Sequence, residues 1–285
     1  MTESFVVRFA SVRERFGPLV WGLDPSAALL ESWKLGDSPD GLDRFIDVVL
    51  DAAADTVGLV KPQSAFYERH GWRGIRTLQR LLSDARAAGM LTILDVKRGD
   101  VGTTNEAYAD AFLGVGAPLE ADAVTVHPYL GLGAMDAFVS RAHSAGACLL
   151  VVTHSSNPEG RALQAACGDD GLSVEEALLH GIGKLNATLV PEGLGPVGAV
   201  IGPVDLPPTV DLAAARALFL APGIGAQGAD PADVARTFAT CPDRVMPSAS
   251  RSLLSAGPDK SALRDRAAKL ASEFRQVLPL GPHRQ

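Results

Sequence analysis

Short apolar segments alternate with amphipathic segments along the chain, and this alternation restricts the fold more than any other feature of the sequence. Eight apolar segments have the length of a β-strand, and several, such as Cys148–Thr153, are apolar on both faces. Strands of this kind belong to parallel sheets that helices cover on the outside. The predicted strands lie near Leu19–Asp24, Thr56–Lys61, Leu91–Lys97, Asp122–His127, Cys148–His154, Val197–Val204, Leu218–Pro222 and Arg244–Ser248.

The segments between these strands have helical periodicity. In Asp43–Ala54, Gly74–Ala88 and Ser261–Val277, apolar residues recur at every third or fourth position. Strand–helix units joined by right-handed crossovers predict an α/β fold, a closed (β/α)8 TIM barrel. An open doubly wound sheet is the alternative, but no Gly-x-Gly-x-x-Gly follows the first strand. We expect a single barrel domain over residues 1–285, with a short N-terminal helical extension and a frayed C-terminal tail.

Three connecting segments are longer than a barrel loop requires. They are Glu31–Asp40, Ser155–Ser173 and Gly202–Asp211, and they are rich in glycine, proline or acidic residues. Long loops in a compact domain are usually functional or mobile.

Composition argues against several classes of function. The net charge of -7 is unlike that of a nucleic-acid-binding surface. No apolar run approaches the roughly 18 residues of a membrane span, and the N-terminus lacks a signal-peptide pattern. The cysteines Cys148, Cys167 and Cys241 fit neither a zinc site nor a disulfide framework, and His127 with His154 makes no metal site without further ligands. We expect a protein of the reducing cytoplasm.

Charged residues follow the ends of the first three predicted strands, and barrels carry their chemistry at these ends. The third strand ends in Asp95, Lys97 and Asp100, and the first two end at Asp24 and Lys61. Alternate side chains of a strand share a face, so Asp95 and Lys97 should project together. Such a pair either ties the strand end to its neighbours or is catalytic. A lysine that carboxylates keep protonated can donate a proton to a carbanion formed in a dry pocket.

The ends of the last two strands predict a phosphate site. Gly223–Gly228 has the pattern Gly-x-Gly-x-x-Gly, which lets backbone N–H groups approach an anion. Arg251 follows the eighth strand and can bind phosphate oxygens in a bidentate manner, while a helix N-terminus there adds a favourable dipole. The glycine pattern alone also describes a tight turn, but barrels often bind phosphate after strands seven and eight.

Five motifs, in chain order, resemble the orotidine 5′-phosphate decarboxylase family in its longer bacterial subgroup, type 2. The resemblance extends from about residue 20 to residue 255, and the motifs are Val60–Glu68, Asp95–Thr104, Ser155–Pro158, Ala221–Gly228 and Pro247–Arg251. It implies a carboxy-lyase that converts orotidine 5′-monophosphate (OMP) to UMP in pyrimidine biosynthesis, with neither a metal nor an organic cofactor.

The resemblance also implies roles for individual residues. Lys97 would protonate C6 of the pyrimidine, Asp95 would face the departing carboxylate, and Lys61 and Asp100 would complete an alternating array of charges. Asp100 and Thr104 would reach the active site of the neighbouring subunit, which makes the protein a homodimer with shared sites. The implied substrate-binding residues are Asp24, Lys61, Thr104, Ser156, Pro222, Gln227, Ser250 and Arg251.

Three other functions remain open. One is that of a related barrel with the same Asp-x-Lys-x-x-Asp third strand, resembling 3-keto-L-gulonate 6-phosphate decarboxylase or hexulose-phosphate synthase. Those enzymes use magnesium, and a glutamate of the second strand helps to bind the ion where this chain has Lys61. A non-catalytic phosphate-binding protein would need the phosphate site but not the charged cluster. A Schiff-base aldolase would need a lysine with a depressed pKa, whereas the acids beside Lys97 favour its charged form.

Overall fold

Eight parallel strands close into a barrel in the computed structural model, which describes residues 3–225 and 228–280. Each strand pairs with the next along the chain, and β8 closes the barrel against β1. The strands are β1 Val20–Leu23, β2 Leu59–Pro62, β3 Leu91–Arg98, β4 Ala123–Val126, β5 Cys148–His154, β6 Val197–Ile201, β7 Phe219–Ala221 and β8 Val245–Ala249. The predicted TIM barrel is therefore confirmed, with strand ends within a few residues of those expected.

Helices surround the barrel and connect its strands. They are α1 Phe5–Phe16, α2 Ala27–Ser32, α3 Pro39–Ala53, α4 Ala65–Glu68, α5 Gly71–Ala87, α6 Gly102–Phe112, α7 Asp136–Ala145, α8 Arg161–Gln164, α9 Val174–Leu189, α10 Pro231–Thr237, α11 Arg251–Leu254 and α12 Lys260–Val277. Short 3₁₀ turns lie at Leu132–Met135, Pro158–Gly160, Ala213–Ala215 and Pro242–Arg244. None of the helices within these described residues is both long and apolar enough to cross a membrane.

Capping side chains explain where several helices begin. The Ser38 hydroxyl accepts the Gly41 N–H at the start of α3, and Pro39 occupies the first helical position. The predicted long loop Glu31–Asp40 is therefore short, because α2 ends at Ser32 and α3 already begins at Pro39. The segment Ser155–Ser173 contains a 3₁₀ turn and α8, so it is longer than most connections but partly ordered into helix.

Two apolar layers hold the fold together. One lies between the strands and the surrounding helices, and the other fills the barrel interior with residues such as Leu59, Ile93 and Leu150. Cys148 belongs to the interior layer, and burial raises the pKa of its thiol to about 12.

The N-terminal helix α1 covers one end of the barrel. Phe5 and Phe9 are buried in the interior layer, and the Arg8 guanidinium pairs with Asp122, just before β4. The N-terminal ends of the strands are therefore closed, and the opposite end remains for a site. The predicted frayed tail falls on residues 281–285, which lie outside the described residues.

Candidate active site

The carboxylate of Asp95 lies at the centre of the charged residues at the open end of the barrel. Its Oδ2 accepts hydrogen bonds from Lys61 Nζ at 2.9 Å and from Gln63 Nε2 at 3.2 Å. Its Oδ1 accepts from Lys97 Nζ and from Thr125 Oγ1, the latter at 2.7 Å. Lys61, Lys97 and Thr125 lie in the adjacent strands β2, β3 and β4, and Gln63 directly follows β2. The Asp95 carboxylate between these four donors is almost fully buried.

The two lysines differ in their freedom to reach a ligand. The Lys61 side chain is 8% exposed, whereas that of Lys97 is 37% exposed although both contact Asp95. Lys61 is confined between acids, since Asp24 also acts on it electrostatically. Lys97 is therefore the more accessible of the two ammonium groups to a molecule in the barrel mouth.

Opposing electrostatic effects set the protonation of this cluster. Burial by itself lowers the pKa of Lys61, but Asp95 and Asp24 together outweigh burial and leave that pKa raised. Burial by itself raises the pKa of Asp95, but Lys61 and Lys97 outweigh it and hold that pKa far below its usual range. The cluster is consequently charged at neutral pH, with Asp95 ionised and Lys61 protonated.

The backbone at Lys97 is not that of a regular strand. Lys97 has a φ of +44°, in the left-handed region that L-amino acids rarely adopt. The pairing of β3 with β4 shifts register between Leu94 and Arg98. The prediction that Asp95 and Lys97 project together assumed a regular strand; the two side chains do meet, but across this distortion. Strain of this kind is concentrated at functional sites.

Two buried polar atoms near the mouth have no hydrogen-bond partner within residues 3–225 and 228–280. They are Asp24 Oδ1, just after β1, and Ser250 Oγ, just after β8. β1 and β8 are paired neighbours, so both atoms belong to the same part of the barrel rim. Because buried polar atoms normally find partners, two such orphans indicate groups that a ligand would satisfy.

The predicted phosphate site lies between β7 and β8. Gly223 and Gly225 have φ of +94° and +74°, so the turn after β7 needs glycine at both positions. Arg251 is exposed at the end of β8, but the helix α11 that starts there has only four residues. The predicted dipole is thus that of a single turn, and the guanidinium is the main positive group. Gln227 lies outside the described residues.

Asp100 does not join the charged cluster of its own chain. Its Oδ1 accepts the Val101 N–H at 2.8 Å, and its own N–H donates to Asn105 Oδ1 at 3.0 Å. Gly99 permits this loop to lie against β4, since a Cβ there would lie 2.4 Å from the His127 carbonyl oxygen. Thr104 is exposed on α6. Among the described residues, Asp100 therefore forms no ion pair with Lys61 or Lys97, and its role in the site stays a prediction.

The loop after β5 is anchored by a buried pair that the sequence did not suggest. His154 Nδ1 lies 2.7 Å from Glu175 Oε2, and its Nε2 lies 3.1 Å from the Val204 carbonyl oxygen. Glu175 also binds Arg161 of α8 at 3.0 Å. Ser156 is half-buried at the beginning of this loop. His154 is therefore bound to a carboxylate and a carbonyl, which fixes the loop beside β5.

Two direct partners of Asp95 have no distinctive signal in the sequence. Thr125 lies in an apolar strand, where the sequence predicts only a core residue. Gln63 lies in the second-strand motif Val60–Glu68, but no role was predicted for it. Only the spatial register of β2 and β4 against β3 reveals that both reach Asp95. Pro222 directly follows β7 and is half-buried at the rim of the barrel.

Known proteins resemble this chain over almost its entire length. The model of the orotidine 5′-phosphate decarboxylase / HUMPS family matches residues 17–265. An orotidine 5′-phosphate decarboxylase of Salinispora tropica is 45% identical over 276 residues, which are 97% of this chain and 99% of the relative. That of Streptomyces coelicolor is 46% identical over 278 residues, with the same coverage of both chains.

Solved structures agree with this similarity. A crystal structure from Streptomyces avermitilis, assigned provisionally as an orotidine 5′-phosphate decarboxylase, matches with a TM-score of 0.92 and 44% identity, covering 97% of this chain and 96% of that one. The OMP decarboxylase of Leishmania donovani has a TM-score of 0.74 at 24% identity, covers 98% of this chain and 100% of its own, and supports the fold. The chain belongs to the orotidine 5′-phosphate decarboxylase / HUMPS family.

Proposed function

We propose that this chain decarboxylates OMP to UMP, the last step of pyrimidine biosynthesis. The observation that carries the proposal is the ionised Asp95 held between Lys61 and Lys97 at the open end of a barrel of this family. The relatives from Salinispora and Streptomyces bear the name of this enzyme and match the chain almost end to end. The cluster supplies a fixed negative charge and a proton donor side by side.

The reaction requires charged groups that favour the loss of CO2 and one proton for C6. The C6–carboxylate bond breaks, CO2 leaves, and the electron pair remains on C6, where the Lys97 ammonium delivers its proton. Asp95 lies beside the substrate carboxylate and disfavours its charge, while the lysines favour the carbanion. Lys97 is 37% exposed, so it can recover its proton from solvent after CO2 has departed.

The remaining site residues bind parts of the substrate away from C6. The unpartnered Asp24 Oδ1 and the neighbouring Lys61 bind ribose hydroxyls, and Ser250 Oγ contributes a further polar contact. Ser156 contacts the pyrimidine from the loop after β5. Arg251, with Gln227 and the backbone near Pro222, binds the phosphate. Binding energy from these remote groups holds the pyrimidine against Asp95 and Lys97.

The magnesium-dependent alternative does not suit this cluster. It needs an acidic ligand at the end of β2, where the Lys61 ammonium instead lies 2.9 Å from Asp95. A divalent cation placed there would be repelled by Lys61 and by Lys97. The sugar-phosphate decarboxylases and aldolases of related barrels are therefore not supported as the function of this chain.

We expect purified protein to convert OMP to UMP at the same rate with and without EDTA. The loss of OMP absorbance gives the rate, and chromatography identifies UMP as the product. Added magnesium should leave the rate unchanged, because no step uses a metal. An absence of turnover, or turnover that appears only with magnesium, would contradict the proposal and reopen the role of Lys61.

We also propose that the active enzyme is a homodimer in which Asp100 and Thr104 complete the partner's site. The Asp100 carboxylate accepts the Val101 N–H of its own loop, and Thr104 is exposed on the following helix. Exposed apolar side chains lie nearby, with Val101 54% and Tyr129 81% exposed, as a contact surface requires. A two-fold axis beside this surface would bring each Asp100 to the other mouth.

Mixing two inactive variants is expected to restore activity if the sites are shared. In a mixed dimer of Lys97→Ala and Asp100→Ala, one site carries both changes and the other carries none. Random exchange at equal amounts then gives about a quarter of the wild-type rate. A mixture of Lys97→Ala with Lys61→Ala is the matched control, since both lysines belong to one site and no intact site forms. Equal rates in the two mixtures would contradict the sharing of Asp100.

A reducing compartment suits the proposed activity. The described cysteines Cys148, Cys167 and Cys241 are all free thiols. Free thiols are typical of cytoplasmic enzymes, and pyrimidine biosynthesis consumes soluble metabolites. We therefore place the enzyme in the cytoplasm.

A further inference from the structure

The hydroxyl of Thr125 connects Lys97, the proposed source of the proton for C6, with the neighbouring carboxylate of Asp95. This threonine lies in β4 and is 1% exposed. Its Oγ1 accepts the backbone N–H of Lys97 at 3.0 Å and donates to Asp95 Oδ1 at 2.7 Å. An N–H can only donate and an ionised carboxylate can only accept, so the direction of both hydrogen bonds is fixed. A hydroxyl can do both at once through a single oxygen atom.

The irregular pairing of β3 with β4 explains why a side chain is needed here. Leu94 pairs with Val124 and Arg98 with Val126, so four steps along β3 oppose two along β4. Lys97, with its φ of +44°, lies within this shift. Its N–H is therefore not taken by the ordinary ladder of backbone hydrogen bonds. The Thr125 hydroxyl replaces the missing backbone acceptor.

We infer that Thr125 is a positioning residue for the decarboxylation, because it fixes both the backbone from which Lys97 projects and the carboxylate beside it. This inference rests on the proposed function and adds to it a residue that, at 1% exposed, is too deeply buried to contact the substrate. The motifs that carry the family resemblance do not include β4.

The arrangement matters most at the moment of proton transfer. When Lys97 Nζ turns toward C6, Asp95 Oδ1 loses that ammonium as a donor. Thr125 remains on Oδ1, while Lys61 and Gln63 remain on Oδ2. The carboxylate therefore keeps its orientation during the step, and the anchored Lys97 N–H limits how far the lysine backbone can move. Preorganised groups of this kind act on the transition state without reorganising.

The test compares variants that separate the hydroxyl from the methyl group of Thr125. Thr125→Val keeps the shape and removes the hydroxyl, while Thr125→Ser keeps the hydroxyl. We expect Thr125→Val to lower kcat about 10- to 100-fold, the effect of losing a hydrogen bond to a charged group. The dissociation constant of UMP should stay within about twofold, because Thr125 does not contact the ligand. Thr125→Ser should retain most of kcat.

Thr92 provides a matched control at the other end of the barrel. Its buried hydroxyl likewise donates to a carboxylate, Asp122, and accepts a backbone N–H, that of the same Asp122. Thr92→Val removes both hydrogen bonds of the hydroxyl, although the Asp122 N–H keeps the Thr92 carbonyl oxygen as an acceptor at 3.1 Å. Its melting temperature measures the structural cost of a buried threonine-to-valine change. Thr92→Val should leave kcat at the wild-type value, because the Thr92 hydroxyl is remote from Lys97.

The outcomes separate this inference from the proposed function. Wild-type protein that does not decarboxylate OMP contradicts the proposed function itself. If the wild type is active and Thr125→Val has an undiminished kcat, the positioning role is overturned. It is also overturned if Thr92→Val loses as much kcat as Thr125→Val. If Thr125→Val does not fold, a comparison of kcat between Thr125→Ser and Thr125→Ala tests the inference instead. They differ only in the hydroxyl, so equal kcat values would overturn the inference and a higher kcat for serine supports it.

Discussion

Replacement of Lys97 with alanine is expected to lower kcat by at least about 10⁴-fold while UMP still binds. The side chain supplies both the proton for C6 and a positive charge beside the carbanion, and these contributions multiply. Lys61 cannot replace it, because that ammonium is buried and bound to Asp95 at 2.9 Å. Asp95 keeps three of its four donors in the variant, so the site stays assembled. Turnover of OMP and calorimetric titration with UMP measure the two quantities.

The strained backbone of Lys97 calls for a second variant at the same position. Alanine retains the cost of a left-handed φ, about 1–2 kcal/mol, whereas glycine does not. Lys97→Ala and Lys97→Gly should lose kcat equally, since both lack the ammonium group. Lys184→Ala, which removes an exposed lysine of α9, serves as the control for net charge. A kcat within about tenfold of the wild type in Lys97→Ala would remove this lysine from the role of proton donor.

The barrel could be predicted because its strands are buried on both faces. The segment Cys148–Val152 is apolar throughout, and the structure places β5 at the predicted residues Cys148–His154. Charged residues directly after such segments, at Lys61 and Asp95, had to lie at the same end of a parallel barrel. The sequence thus indicated which side chains share the mouth, because strand order and direction determine it.

The local geometry of the mouth could not be predicted from pattern alone. Alternation in β3 treats Lys97 as a regular strand residue, whereas the structure shows a left-handed φ and a register shift. Thr125 contacts the Lys97 N–H and Asp95 only because β4 meets β3 at that shift. A threonine between two valines is otherwise typical of any buried strand.

The contacts that the loops make could not be predicted from the sequence either. His154 could be judged only as a metal ligand, and nothing in its surroundings along the chain indicated Glu175, 21 residues further on, as its partner. Asp100 follows the strand end in sequence, and its carboxylate accepts the N–H of Val101 in its own loop. The apolar pattern of the sequence predicts that a residue lies near a strand end. The direction in which its side chain points depends on the backbone conformation of the loop.

Replacement of Arg251 with alanine is expected to lower kcat/KM for OMP by about 10²- to 10⁴-fold. A guanidinium that binds a phosphate through two charge-assisted hydrogen bonds contributes on the order of 3–6 kcal/mol. α11 is a single turn, so its backbone cannot take over the positive charge. Arg266→Ala is the matched control, because Arg266 is another exposed arginine and its guanidinium donates to the Ser252 carbonyl at 3.1 Å. Its kcat/KM should equal that of the wild type.

The nucleoside orotidine, which lacks the phosphate, shows whether Arg251 acts through that group. If it does, Arg251→Ala lowers kcat/KM for OMP and leaves the much slower reaction of orotidine unchanged. A loss on both substrates would instead mean that the variant disturbs the charged cluster around Asp95. An unchanged kcat/KM for OMP would exclude Arg251 from phosphate binding. The comparison is decisive because the phosphate is remote from C6, so it can accelerate the reaction only through binding energy that positions the pyrimidine beside Asp95 and Lys97.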